Sequence, residues 1–300
     1  MTHIVGYIAI VGWANAGKST LLNSLIEQKV SIVSPKPQTT RDSIIGIWST
    51  DDCQMVFVDT PGWLKPKNVL GEYMQKSIDR AVVGVDCIML VIDGHDGIKE
   101  RDIQLIYKYA NRDIPLVVVI SKTDITQPER LMPELARLNG IEGIAEIFCV
   151  SAKRNKNIDV LKEHLKKYLK EGPPYYPEDE VTNKSLRFLV CEQIREKMML
   201  VLDNEVPHGI GVMLNKMEYD EDKMIWIIDA NIIAEKQSHK PIILGKNGQM
   251  LKEISIRARA SIEKLLQSRV YLELWVKVKP DWRNNQYLVT EIGYDKKDLD

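Results

Sequence analysis

Residues 12–20 read GWANAGKST, which matches GxxxxGK[ST], follows an apolar run and opens a helical pattern. The chemistry open to such a loop is phosphate binding. Its glycines let backbone N–H groups approach phosphate oxygens, and the helix N-terminus behind them adds positive potential. Gly12, Trp13, Ala14, Asn15, Ala16, Gly17 and Thr20 would form the cradle and its exit, Lys18 would reach the outer phosphates, and the Ser19 hydroxyl would bind Mg2+. A second segment, FVDTPGW at 57–63, delivers Asp59, Thr60, Pro61, Gly62 and Trp63 from an apolar strand toward the same loop. A carboxylate there can hold magnesium through water, while the Gly62 N–H can approach a terminal phosphate and sense its presence.

Between these two lies SIVSPKPQTTRDSIIGI, a polar, Pro-containing segment at 31–47. Thr40 can complete a magnesium shell while a triphosphate is bound and let go after hydrolysis, the order-to-disorder step of a switch. Taken alone, Thr39, Thr40 and Arg41 read equally well as a solvated loop. Further on, VVVISKTDIT at 117–126 ends a buried strand in Ser121, Lys122 and Asp124. The Asp124 carboxylate can accept from N1–H and the 2-amino group of guanine, whereas adenine offers an acceptor at N1 and no 2-amino group. This favours GTP over ATP, because a ligand lacking those donors leaves the carboxylate unpaired. Lys122 can lay its stem along the base, and VSAK places Ser151, Ala152 and Lys153 where the Ala152 N–H reaches guanine O6.

Short β-branched runs alternate with helical patterns up to about residue 168, which predicts a mostly parallel sheet covered on both faces. EGPPYYPEDEVT, 171–182, has three prolines, several acids and no apolar periodicity, and reads as a semi-rigid linker. The order then changes to helix (186–202), two strands (211–217 and 224–234), a helix entered at Pro241, a helix at 249–267 and a strand at 270–278. The expected organisation is therefore 1–170, a linker at 171–182, and a second domain at 183–300. Three hundred residues, 44% hydrophobic and 28% charged, suit two globular domains. A formal net charge of −1 gives no global case for a nucleic-acid partner, so any such partner must be argued from a local surface. Cys53, Cys87, Cys149 and Cys191 are far apart with no metal-ligand spacing, as for free thiols in a reducing cytosol. The N-terminal apolar run is too short to span a membrane and leads into no cleavage site.

GWANAGKS, QTTRD, DTPGWLKPKNVLGEYM, SKTD and SAK together resemble the Era family of bacterial GTPases. Past the linker, EVPHGIGV and PIILGKNGQMLKEISIRARASIEKLL resemble that family's type II KH domain, so the resemblance covers nearly the whole chain. It implies an α/β P-loop GTPase domain followed by an α+β KH domain. It implies binding of GTP, GDP and Mg2+, and a partner at the 3′ end of small-subunit ribosomal RNA during small-subunit assembly. The RNA loop would be GKNG (Gly245, Lys246, Asn247, Gly248) with Gln249 and Lys252. Two glycines admit a nucleic-acid backbone, and single-stranded bases would lie over Ile243 and Leu244, two side chains that read equally as core. Cytoplasmic location and a monomer follow as defaults. The resemblance also leaves peripheral membrane attachment open, although no amphipathic anchor or lipidation signal supports it.

Two departures from the family pattern, and one contrast with Ras-like GTPases, bear on mechanism. Ser121 stands where an Asn is usual, Trp13 and Ala14 where Arg and Pro are common, and Trp63 where Ras-like GTPases carry the Gln that orients the attacking water. An indole cannot do that job, so catalysis needs another positioning group or is slow. Asn15 matches a position that in relatives helps to bind K+, which supplies charge otherwise given by an arginine finger. Two rivals remain at this level: a P-loop enzyme passing phosphate to a small substrate, and a nearly non-hydrolysing RNA-binding scaffold.

Overall fold

The computed structural model describes residues 3–295, so the end of the C-terminal segment at 296–300 lies outside the described residues. Contacts divide the chain into two compact units, one of 3–33, 40–65 and 74–183, the other of 34–39, 66–73 and 184–295.

The first unit is built from runs too apolar to face water on either side. Its elements are β1 (Ile4–Val11), α1 (Lys18–Leu25), β2 (Ile44–Ser49), β3 (Cys53–Asp59), most of α2 (Val69–Ala81), β4 (Cys87–Asp93), α3 (Glu100–Ala110), β5 (Leu116–Ser121), α4 (Pro128–Asn139), β6 (Ile144–Cys149), α5 (Ile158–Leu165) and the short β7 (Lys170–Glu171). The sheet runs β2-β3-β1-β4-β5-β6, with β7 antiparallel on β1. The strands from β3 to β6 pair in parallel, and β2 is antiparallel to β3. All six residues of β5 are buried, as a strand covered on both faces requires. In an open sheet of this kind ligands bind beyond the carboxyl ends of the strands, where Gly12, Asp59, Ser121 and Ser151 are found.

Residues 44–47, at the end of the polar segment in the sequence, begin β2, whose Ile44 and Ile47 are buried against the core. Segment 171–182 is held on the first unit: Gln54 Oε1 accepts from the Tyr175 and Tyr176 N–H groups at 2.8 and 3.0 Å, and the Ile47 N–H donates to the Val181 carbonyl at 2.9 Å. Tyr175 also stacks on Tyr7 with centroids 5.0 Å apart.

In the second unit α6 (Leu186–Val201) is followed by β8 (Ile210–Asp220), β9 (Ile225–Ala234), α7 (His239–Leu244), α8 (Gln249–Leu266), β10 (Arg269–Val278) and α9 (Gln286–Glu291). Ser185 caps α6 by accepting from the Phe188 N–H at 3.2 Å. The three strands lie in the order β10-β9-β8, with β8 antiparallel and β10 parallel to β9. Ile194 and Met198 of α6 and Ile254, Ala258 and Ile262 of α8, on one face at helical spacing, share a core with Ile228 and Ile232. Trp282 is fully buried and donates its indole N–H to the Gly209 carbonyl at 2.9 Å. This is the type II KH order of elements that the sequence predicts.

Candidate functional site

Between β1 and α1 the chain turns back through the loop 12–17, with Gly17 left-handed at the N-cap of α1. Lys18 is 5% exposed, and its ammonium donates to the carbonyls of Gly12 and Trp13 at 3.0 and 2.9 Å. Burial pulls its pKa down to about 8, against the opposing pull of Asp59. Asp59, at the end of β3, is fully buried and pushed up to about 6, burial outweighing Lys18 and the hydroxyls that donate to it. Ser19 Oγ donates to Asp59 Oδ2 at 2.7 Å and shares a second hydrogen bond of 2.7 Å with Thr40 Oγ1. Ser31 Oγ donates to the same Oδ2 at 3.1 Å, while Asp59 Oδ1 is buried with no hydrogen-bond partner. Oxygens of Ser19 and Thr40 thus gather at the Asp59 carboxylate, whose other oxygen is unsatisfied, and together they are the donor set a hard divalent cation takes. Magnesium fits these residues.

Thr40 and Arg41 are buried, which removes the solvated-loop reading for them. Thr39 groups with the second unit, its hydroxyl bonded to Ser34 Oγ and to the Lys36 carbonyl, each at 2.7 Å. The Thr60 hydroxyl donates to the Ile10 carbonyl at 2.8 Å and so braces β1 from within the segment. Pro61 and Gly62 are buried beside it, and Asn15 is exposed with a φ of 66°.

At the ends of β5 and β6, Asp124 accepts from Ser151 Oγ at 2.7 Å, and that bond holds its carboxyl below the usual range. Ser151 also caps the short turn that begins at Ala152, accepting from the Arg154 N–H at 3.2 Å. Lys153 is exposed. The Lys122 ammonium is paired with Asp93 at 2.6 Å. Ser121 Oγ lies 2.6 Å from the Ala16 carbonyl and 3.1 Å from that of Ile92, so its single proton serves the backbone of the loop. Sequence reasoning missed Asp93 and Ser31. Asp93 does carry a signal, an acid ending an apolar strand, and it aligns in register with Ser121.

In the second unit Gly245 has φ +69°, and a Cβ there would meet the Met250 Cβ at 2.6 Å, so only glycine fits. Gly248 has φ +76° with open space around it. Lys246, Asn247, Gln249 and Lys252 are exposed along the same edge. Ile243 is 0% exposed and part of the core, which corrects its assignment as a base-contacting residue; it supports the loop from beneath. Leu244 is half-buried, and neighbouring Ile242, which the sequence did not single out, is 48% exposed. Arg257 is paired with Glu253 at 2.6 Å on α8.

A P-loop nucleotide-binding unit followed by a type II KH unit is the class that fold and site define. A family model described as 50S ribosome-binding GTPase matches residues 7–122, and a KH domain model matches residues 205–283. The GTPase Era of Clostridium botulinum strain Okra is 47% identical over 97% of this chain and 98% of its own length. That of Clostridium kluyveri is 47% identical over 96% and 98%. Two solved structures align over 98% of this chain at 40% identity: an Aquifex aeolicus Era variant bound to GDP·AlF4−, with a TM-score of 0.93 and 100% of that chain covered, and Era in complex with MgGDPNP and nucleotides 1506–1542 of 16S ribosomal RNA, with a TM-score of 0.94 and 99% covered. The chain belongs to the Era family of GTPases. It is a GTPase, and the reading as a small-molecule phosphotransferase falls with that assignment.

Proposed function

We propose that this chain binds GTP and GDP with Mg2+, hydrolyses GTP slowly, and uses its nucleotide state to govern how the KH unit holds the single-stranded 3′ end of small-subunit ribosomal RNA during assembly of that subunit. The reading is supported by one observation above others: both units together align with an Era structure that holds MgGDPNP and 16S ribosomal RNA. Asp124 reads the guanine edge, oriented by Ser151, and Lys122 underlies the base. Lys18 leaves the Gly12 and Trp13 carbonyls for phosphate oxygens, which relieves the cost of its burial. Ser19, Thr40 and Asp59 hold the cation, Asp59 through water; when bound it neutralises charge developing on the transferred phosphoryl group. Gly245, Lys246, Asn247, Gly248, Gln249 and Lys252 take the RNA backbone, with Leu244 and Ile242 beneath the bases.

Asn15 is assigned to K+ binding, which would offset the lack of a water-orienting Gln at Trp63. The working unit is a monomer in the cytoplasm with peripheral access to the membrane; among the described residues no helix is long and apolar enough to cross one. Phosphate release from GTP and ATP, in potassium and in sodium, with and without an RNA matching the small-subunit 3′ end, tests the reading. Release selective for GTP and raised by both potassium and RNA is expected. Binding of GTP without turnover in every condition would instead favour the scaffold, and Asp124→Asn should transfer preference from GTP to xanthosine triphosphate.

A further inference from the structure

The start of the second phosphate-sensing segment is laid directly on the phosphate loop. The Trp63 N–H donates to the Gly12 carbonyl at 3.0 Å, and Trp13 and Trp63 pair as a parallel bridge. Next to them a Cβ on Gly62 would stand 2.5 Å from Ala14 Cα, so only glycine permits the approach. The two indoles face each other with centroids 5.7 Å apart at 59°, a favourable tilted aromatic geometry. Helix α3 closes the arrangement from one side. Arg101 and Lys108, seven residues apart and so on one face, set the guanidinium 5.0 Å over Trp13 and the ammonium 4.6 Å over Trp63. The Trp13 indole N–H donates to the Arg101 carbonyl at 3.3 Å, and Lys108 also reaches Asp79 of α2 at 3.6 Å.

We propose that Trp13 is a positioning residue for GTP hydrolysis: by clasping Trp63 against the Arg101–Lys108 face of α3, it sets where the Gly62 N–H stands over the phosphate loop. The phosphate loop acts through its backbone, so the Trp13 side chain is free for this second task. Trp63 has no group that can take a proton from water or align it with a carbonyl, so what its ring contributes is placement of the adjoining backbone. Such placement acts on the chemical step more than on nucleotide affinity, because the terminal phosphate sensed by Gly62 is absent from GDP.

The inference rests on the GTPase assignment, and its test separates the two. Turnover at saturating GTP and the affinity for GDP are measured for the parent, Trp13→Ala, Trp13→Phe, Trp63→Ala and the Trp13→Ala/Trp63→Ala double variant. Trp13→Ala should lower kcat by roughly three- to tenfold, the span of an aromatic pair, while GDP affinity stays within about twofold. Trp13→Phe, which keeps a ring on Trp63, should recover most of the loss. The double variant should turn over no more slowly than Trp63→Ala alone, since the clasp can be lost only once. Multiplying losses in the double variant, an unchanged kcat in Trp13→Ala, or parallel losses of kcat and GDP affinity would each overturn the clasp. A parent that binds GDP and never releases phosphate would overturn the reading of turnover itself.

Discussion

Asp59 holds a charge where the fold gives it little help. Its Oδ1 is buried without a partner, and burial raises its pKa to about 6. Because the folded carboxyl keeps its proton more firmly than the unfolded chain does, ionisation weakens the fold as pH rises from about 4 to 6. A cation at the site offsets this, and the proton competes with it. Mg2+ affinity in the presence of a GTP analogue should therefore be level above about pH 7 and fall close to tenfold per pH unit below 6. Calorimetric titration across pH 5–8 checks it, and a flat profile would contradict the assignment of Asp59. At this scale the sequence was readable wherever a motif fixes spacing: Lys18, Ser19, Asp59 and Asp124 all stand near the strand ends as expected. It was silent where register decides. Ser31 meets Asp59 across 28 positions and Asp93 meets Lys122 across 29, distances that no local pattern encodes. Thr60 shows the converse, a motif residue whose hydroxyl the neighbouring strand had already taken.

Periodicity located helix α8 and its core face because alternation at 3.6 residues survives in any setting. Ile262 is fully buried on that face, and Ile262→Ala should cost the second unit about 2–4 kcal/mol, read from urea unfolding. GDP affinity should be unchanged, because Ile262 belongs to the core of the second unit; a matching loss would mean that the two cores unfold as one. Strand β2 escaped notice because it follows a Pro-containing polar run and pairs antiparallel with β3, so its identity comes from a partner and not from its own sequence. The segment at 171–182 misled for a related reason. Its prolines suggest a spacer, but Gln54 and Tyr7 supply the contacts that pin it, and neither is near in sequence.

For the molecule entire, the net charge of −1 offers no general attraction for a polyanion, so RNA affinity must come from a few local cations. Lys246→Ala should weaken binding of a single-stranded 3′-end RNA several-fold and reduce the slope of log affinity against log salt by about 0.7, the value for one phosphate contact on a single strand. An unchanged slope would place the phosphates elsewhere. That two domains exist was legible from the change in element order. Which residues join which unit was not, since 34–39 and 66–73 group with the second only through contacts in space. The burial of Trp282 has a bearing on how the protein is made. Its ring closes on Gly209, more than seventy positions earlier, and α6, whose residues help form the same unit, begins at Leu186. On a translating ribosome the first unit can finish once Val181 has emerged to meet Ile47, whereas the second unit must wait, open and apolar, until Trp282 arrives.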